Sequence, residues 1–151
     1  MENNVSISIE GLENQQNPDN LPWLENIEPF ALEALEKLGK HHWDLSLFFC
    51  NNEIIQKLNK QYRNLDESTD VLSFIMGETA GERFLPGDIV ISLEKIGENA
   101  KEFAVSPKEE LHRLVIHGIL HLSGMDHSSN DSNEEMLLLQ EKLLKEMGVT
   151  Q

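Results

Sequence analysis

The sequence predicts a single mixed α/β domain of the α+β kind, with a sheet of about four strands and helices packed around it. Three observations lead there. Apolar residues alternate with polar ones in short runs, the period of half-buried strands, while other stretches carry them at helical spacing. A chain of 151 residues with 39% hydrophobic side chains matches one ordinary domain with a proper core. No internal repeat and no linker divides it, so residues 1–151 read as one unit.

The elements follow in order. Val5, Ile7 and Ile9 alternate as a first strand, and a polar loop follows over residues 11–20. Residues 22–40 read as a helix through Trp23, Ile27, Phe30, Ala31, Ala34, Leu35 and Leu38, bent or restarted at Pro29 and stopped near Gly39. Leu45, Leu47 and Phe49 form a second strand. Asn51 or Asn52 caps the next helix, which runs through Ile54, Ile55, Leu58 and Tyr62. The apolar run at residues 71–76 fits an internal strand, and residues 77–87, with Gly81, Pro86 and Gly87, read as loop. Ile89, Val90, Ile91 and Leu93 make a fourth strand, with a helix beginning over residues 94–103. Ser106 and Glu109, with Pro107 between them, are a capping box for a helix through Leu111, Leu114, Val115, Ile116 and Leu120, ended by Gly124. Ser132 and Glu135 repeat the box before a last helix through Met136, Leu139, Leu143 and Leu144.

Composition excludes several classes of function. No apolar run reaches the roughly 20 residues of a membrane span, and the first residues lack the pattern of a signal peptide. The lone Cys50 cannot form an internal disulfide; a buried, reduced thiol and a cytoplasmic location are expected. A net charge of −15 speaks against coating nucleic acid through the whole surface, although a local basic groove is compatible with it.

The stretch from His117 to His127 carries the chemistry. His117 and His121 stand four apart on a well-capped helix, so both imidazoles project from one face. Gly124 permits a sharp turn, after which His127 can return as a third ligand. Three neutral nitrogens suit zinc and leave one position open for a water whose pKa the metal lowers toward ~7. A histidine pair alone is more often an ordinary surface or core feature; the third histidine beyond a glycine turn makes metal the better reading. The spacing H-x-x-x-H-x-x-G-x-x-H is that of metzincin zinc peptidases. Those place a glutamate after the first histidine as general base, and here that residue is Gly118. The metal site survives this substitution; the peptidase assignment does not. Asp126, beside His127, is either a proton acceptor or a group that orients a ligand histidine. His41, His42 and His112 fall outside the constellation.

Four stretches in fixed order carry a resemblance: Leu58-Asn59-Lys60-Gln61-Tyr62-Arg63, Ser68-Thr69-Asp70-Val71-Leu72-Ser73-Phe74, Gly87-Asp88-Ile89-Val90-Ile91-Ser92, and the histidine stretch. The sequence resembles the YbeY family, zinc-dependent bacterial endoribonucleases of ribosomal RNA maturation. The resemblance implies a small α/β domain whose one zinc ion is held by His117, His121 and His127, with Arg63 as the functionally important arginine. It also implies action on single-stranded ribosomal RNA, including the 3′ end of the small-subunit RNA, and a part in ribosome quality control. The partners then expected are the small ribosomal subunit and ribosomal or assembly-factor proteins, not DNA or a membrane.

Chemistry gives Arg63 a role beside zinc, because a fixed guanidinium stabilises charge developing on phosphoryl oxygens. The bland alternative is a helix-end arginine paired with Asp66 or Glu67. Lys57, Lys60 and Arg63 fall three apart, as a basic stripe or a solvated charged face. Asp70 is read as a turn former rather than a cleft residue, and Ser73 as either a small filler or a cleft residue. Two rival functions stay open: a ribosome-assembly binding factor with a structural zinc, and a zinc hydrolase of another substrate.

Overall fold

The computed structural model describes residues 2–11, 24–125 and 130–151, with the backbone alone for residues 130–134. Its elements are β1 (Asn4–Ile9), α1 (Ile27–Lys37), β2 (Asp44–Cys50), α2 (Asn52–Arg63), β3 (Val71–Ala80), β4 (Arg83–Ser92), α3 (Leu93–Phe103), α4 (Pro107–Leu122) and α5 (Asn130–Glu146). The four strands form one sheet in the order β1-β2-β4-β3. β1 pairs parallel with β2, β2 parallel with β4, and β3 antiparallel with β4. The sheet is mixed, as expected.

Alternation sets the two faces. Leu45, Leu47 and Phe49 of β2 and Ile89 and Ile91 of β4 pack with α1, α4 and α5 in the main core. Cys50, Leu72 and Val90 point the other way and meet Ile55 of α2 in a smaller one. Cys50 is fully buried and unpaired, and burial pushes its thiol pKa up to about 12.

The helix starts obey their caps. Asn51 Oδ1 accepts the Ile54 N–H at 2.9 Å to open α2. Ser106 Oγ accepts the Glu109 N–H at 3.0 Å to open α4, with Pro107 in the first turn. α1 is shorter than its apolar spacing suggests. It begins at Ile27, which puts Pro29 in the first turn where a missing N–H costs nothing, so the proline starts the helix rather than bending it. Trp23 lies outside the described residues. α5 begins at Asn130, before the expected cap at Ser132.

The larger correction concerns residues 71–92. The run at residues 71–76 is an edge strand, not an internal one, and the expected loop is the body of a long β3–β4 hairpin. Its punctuating residues have other uses. Ile75 pairs with Gly87 and Glu78 with Leu85, so Met76 and Gly77 stand opposite Pro86 alone. This is a bulge, and a bulge is where a strand tolerates a residue with no N–H to donate. Gly87, at φ +137°, passes so close to Phe74 that a Cβ would lie 2.0 Å from its carbonyl oxygen. Arg83 ties the hairpin to β2, donating to Asp44 and to the Trp43 carbonyl oxygen at 3.1 Å.

His112 packs into the α1–α4 contact, 7% exposed, with its ring stacked on Phe30 at 3.9 Å between centroids. Burial pushes its pKa down to about 4, helped by Lys108. The unfolded chain therefore binds this proton first as pH falls below about 6.5, and stability drops with it. Urea denaturation is expected to show wild type losing about 2 kcal/mol more than His112→Phe between pH 7 and pH 5.

Candidate metal centre and cleft

α4 carries the histidines, and its seating on the sheet decides where they point. Leu111, Val115, Ile116 and Ile119 bury its inner side. At Gly118 the helix approaches β4 so closely that a Cβ would stand 2.8 Å from Ile89 Cδ1 and Cγ2. Gly118 thus faces the packed sheet, not the solvent. A glutamate there would meet Ile89, which gives the missing general base a structural reason.

His117 and His121 come together as expected. Their Nε2 atoms are 3.2 Å apart, and their rings meet edge to face at 73°. Two nitrogens at ~2.0–2.1 Å from one tetrahedral zinc would be separated by about 3.3 Å. The pair therefore fits as two ligands of a single ion. Gly124, at φ +101°, turns the chain out of the helix, and the Met125 N–H closes its end on the Leu120 carbonyl oxygen at 3.1 Å. His127 and Asp126 lie outside the described residues. Among the described residues no cluster of three or more His, Cys, Asp or Glu side chains is placed to hold a metal.

The imidazoles open into a cleft of about 610 Å³, also lined by Tyr62, Arg63, Asp70, Ser73 and Phe74. Arg63 reaches it as the last residue of α2, where Asn64 takes a left-handed conformation and stops the helix. The buried Asn59 donates from Nδ2 to the Glu67 carbonyl oxygen at 3.0 Å and holds the following loop against α2. The ion pair at this helix end is Lys60 with Asp66, at 3.8 Å, while Arg63 turns to the cleft. Lys57 pairs with Glu53 at 3.3 Å. Of the two readings, the paired and exposed Lys57 and Lys60 fit the solvated charged face, and Arg63 is the one of the three that lines the cleft. Asp70 serves both readings: its carbonyl oxygen accepts the Ser92 N–H, its carboxylate accepts from Asn99 Nδ2 at 3.2 Å, and it lines the cleft.

Three residues at the site were not legible as site residues. Tyr62 and Phe74 form an edge-to-face pair at 5.3 Å in the cleft wall, with Tyr62 61% exposed. Gln140, buried on α5, places Oε1 2.8 Å from His117 Nδ1. Helical spacing marked Tyr62 as core, and nothing local distinguished Gln140.

Comparison with known proteins gives matches over most of the chain. The family model described as endoribonuclease YbeY matches residues 11–148. A protein of Treponema denticola named endoribonuclease YbeY is 50% identical, with 95% of this chain and 93% of that protein covered. Its namesake in Treponema pallidum is 47% identical over 94% and 88%. The solution structure of TM1509 from Thermotoga maritima superposes with a TM-score of 0.61 at 29% identity, covering 95% of this chain and 91% of that one.

The Gly118 contact makes a prediction. Gly118→Ala is expected to lower stability by about 1 kcal/mol, since overpacking of about 1–3 kcal/mol exceeds the gain in helix propensity. Gly118→Glu, which restores the peptidase pattern, is expected to cost more than about 3 kcal/mol and to yield no peptide cleavage. Thermal denaturation and a peptide assay check both.

Proposed function

The chain belongs to the YbeY endoribonuclease family, and on that premise we propose that it is a zinc-dependent endoribonuclease of ribosomal RNA maturation. Its substrate is single-stranded RNA, including the 3′ end of the small-subunit RNA, and it takes part in ribosome quality control. The observation that carries the reading is the convergence of two imidazole Nε2 atoms, 3.2 Å apart, on a cleft that Arg63 also lines.

His117, His121 and His127 would hold one zinc ion, whose donor set of neutral imidazoles suits that metal. When bound, the ion supplies Lewis acidity for phosphodiester hydrolysis. The chain's own residues do the rest. Arg63 donates its fork of N–H groups to the phosphate and neutralises charge that develops on the phosphoryl oxygens. Tyr62 offers an exposed ring on which an unstacked base can lie, a surface that a duplex cannot use. Gly118 removes the peptidase base, and its contact with Ile89 leaves no space for one.

The charge of −15 shapes how RNA arrives. Affinity for bare RNA is weak and falls with salt, and docking on the small subunit or on a ribosomal or assembly-factor protein supplies part of the binding. The second reading is a ribosome-assembly binding factor whose zinc is structural. A cytoplasmic location belongs to either reading, and DNA is not expected as a substrate.

Metal analysis and cleavage of a single-stranded small-subunit 3′-end RNA separate them. His117→Ala is expected to lose both zinc and cleavage. Arg63→Ala is expected to keep one zinc per chain and cut about 10²–10³-fold more slowly. An unchanged rate in Arg63→Ala favours the assembly factor.

A further inference from the structure

We propose that a directed chain of hydrogen bonds from Arg113 through Glu141 and Gln140 sets the metal-binding tautomer of His117, which makes Gln140 a positioning residue of the metal centre. The inference rests on the reading of His117 as a metal ligand.

The direction of each bond follows from what each group can do. A guanidinium donates and never accepts. Arg113 donates from Nε to Glu141 Oε2 at 3.0 Å and from Nη2 to Glu141 Oε1 at 3.1 Å, a two-pronged grip. It is fixed from below by Glu109, one turn earlier on α4, at 3.0 Å. Glu141 is thereby held ionised, its pKa lowered mainly by the Arg113 hydrogen bond, and both its oxygens act only as acceptors. The group of Gln140 that faces Glu141 Oε2 at 3.0 Å must then be its amide nitrogen. With the amide turned that way, Gln140 Oε1 meets His117 Nδ1 at 2.8 Å. An amide oxygen only accepts, so Nδ1 carries the proton. A neutral imidazole protonated on Nδ1 has its lone pair on Nε2, the atom that converges with His121 Nε2.

The placement of these residues on two helices makes the chain rigid. Arg113 and His117 stand one turn apart on α4, and Gln140 and Glu141 are neighbours on α5. Gln140 is 4% exposed, so water does not compete for its amide, whereas Glu141 reaches the surface where Arg113 can grip it. A clasp that merely joined α4 to α5 would need the Arg113–Glu141 pair alone. Gln140 adds the link that runs inward to His117.

The test reads the tautomer and the metal, not cleavage. In the metal-free full chain at pH 7.5, two-bond ¹H–¹⁵N spectra are expected to show His117 in the Nδ1–H form. Gln140→Leu is expected to give a mixture of tautomers and a zinc affinity 10–100-fold weaker by chelator competition. Gln140→Glu, which still accepts from Nδ1 but has no amide to donate to Glu141, is expected to keep the Nδ1–H form. Arg113→Leu is expected to fall between wild type and Gln140→Leu in affinity. The proposal is overturned if wild-type His117 is in the Nε2–H form, a result that needs no variant to fold. It also fails if Gln140→Leu leaves affinity and ring shifts unchanged, or if Gln140→Glu gives the same mixture of tautomers as Gln140→Leu. A chain that meets these expectations but cuts no RNA refutes the nuclease reading alone.

Discussion

The geometry of the histidine pair depends on how closely α4 lies against β4. The contact is made at Gly118, where the helix surface has no side chain and Ile89 fills the space that a Cβ would need. The residue before Gly118 is His117, and three residues after it comes His121. Seating Gly118 on the sheet therefore turns both imidazoles toward the free edge of β3, where the cleft opens. The same contact carries chemistry. In a zinc peptidase the position after the first histidine faces the reaction; here it faces the core. One glycine thus decides both the approach of helix and sheet and the lack of a carboxylate at the position after the first histidine.

Much of this was legible in the sequence where a feature is local. The histidine pair follows from helical period, and the caps at Asn51 and Ser106 follow from side chains that reach N–H groups three residues ahead. The long hairpin was not legible, because Gly77, Gly81, Pro86 and Gly87 read as breakers when each serves a bulge, a turn or a close strand crossing. Gln140 was hidden for a different reason. Its partner lies 23 residues away on another helix, and a single glutamine on an amphipathic helix carries no periodic signal. The place of Arg63 at the cleft was available only through resemblance, since its spacing with Lys57 and Lys60 describes a charged face equally well. The structure separates them by pairing both lysines with acidic neighbours.

The electrostatics of the cleft are correspondingly short in range. A chain with 27 acidic and 12 basic residues carries a negative field over most of its surface. At physiological ionic strength that field decays over about 8 Å, so the Arg63 charge acts on an anion only inside the cleft it lines. Recognition then depends on contact rather than on long-range steering.

The bulge at Met76 and Gly77 has a consequence away from the metal. β3 is an edge strand, and it exposes Ile75 at 67% and Met76 at 49% beside unpaired backbone groups. A long flat edge of that kind is a template on which a second chain can add a strand and begin to aggregate. The bulge breaks it into two short segments, Val71–Ile75 and Glu78–Ala80, so the edge offers no unbroken row of donors and acceptors. The opposite edge, β1, presents Asn4, Ser6 and Ser8 on one face. The irregularity that hid the hairpin from a reading of the sequence is therefore also a guard on solubility.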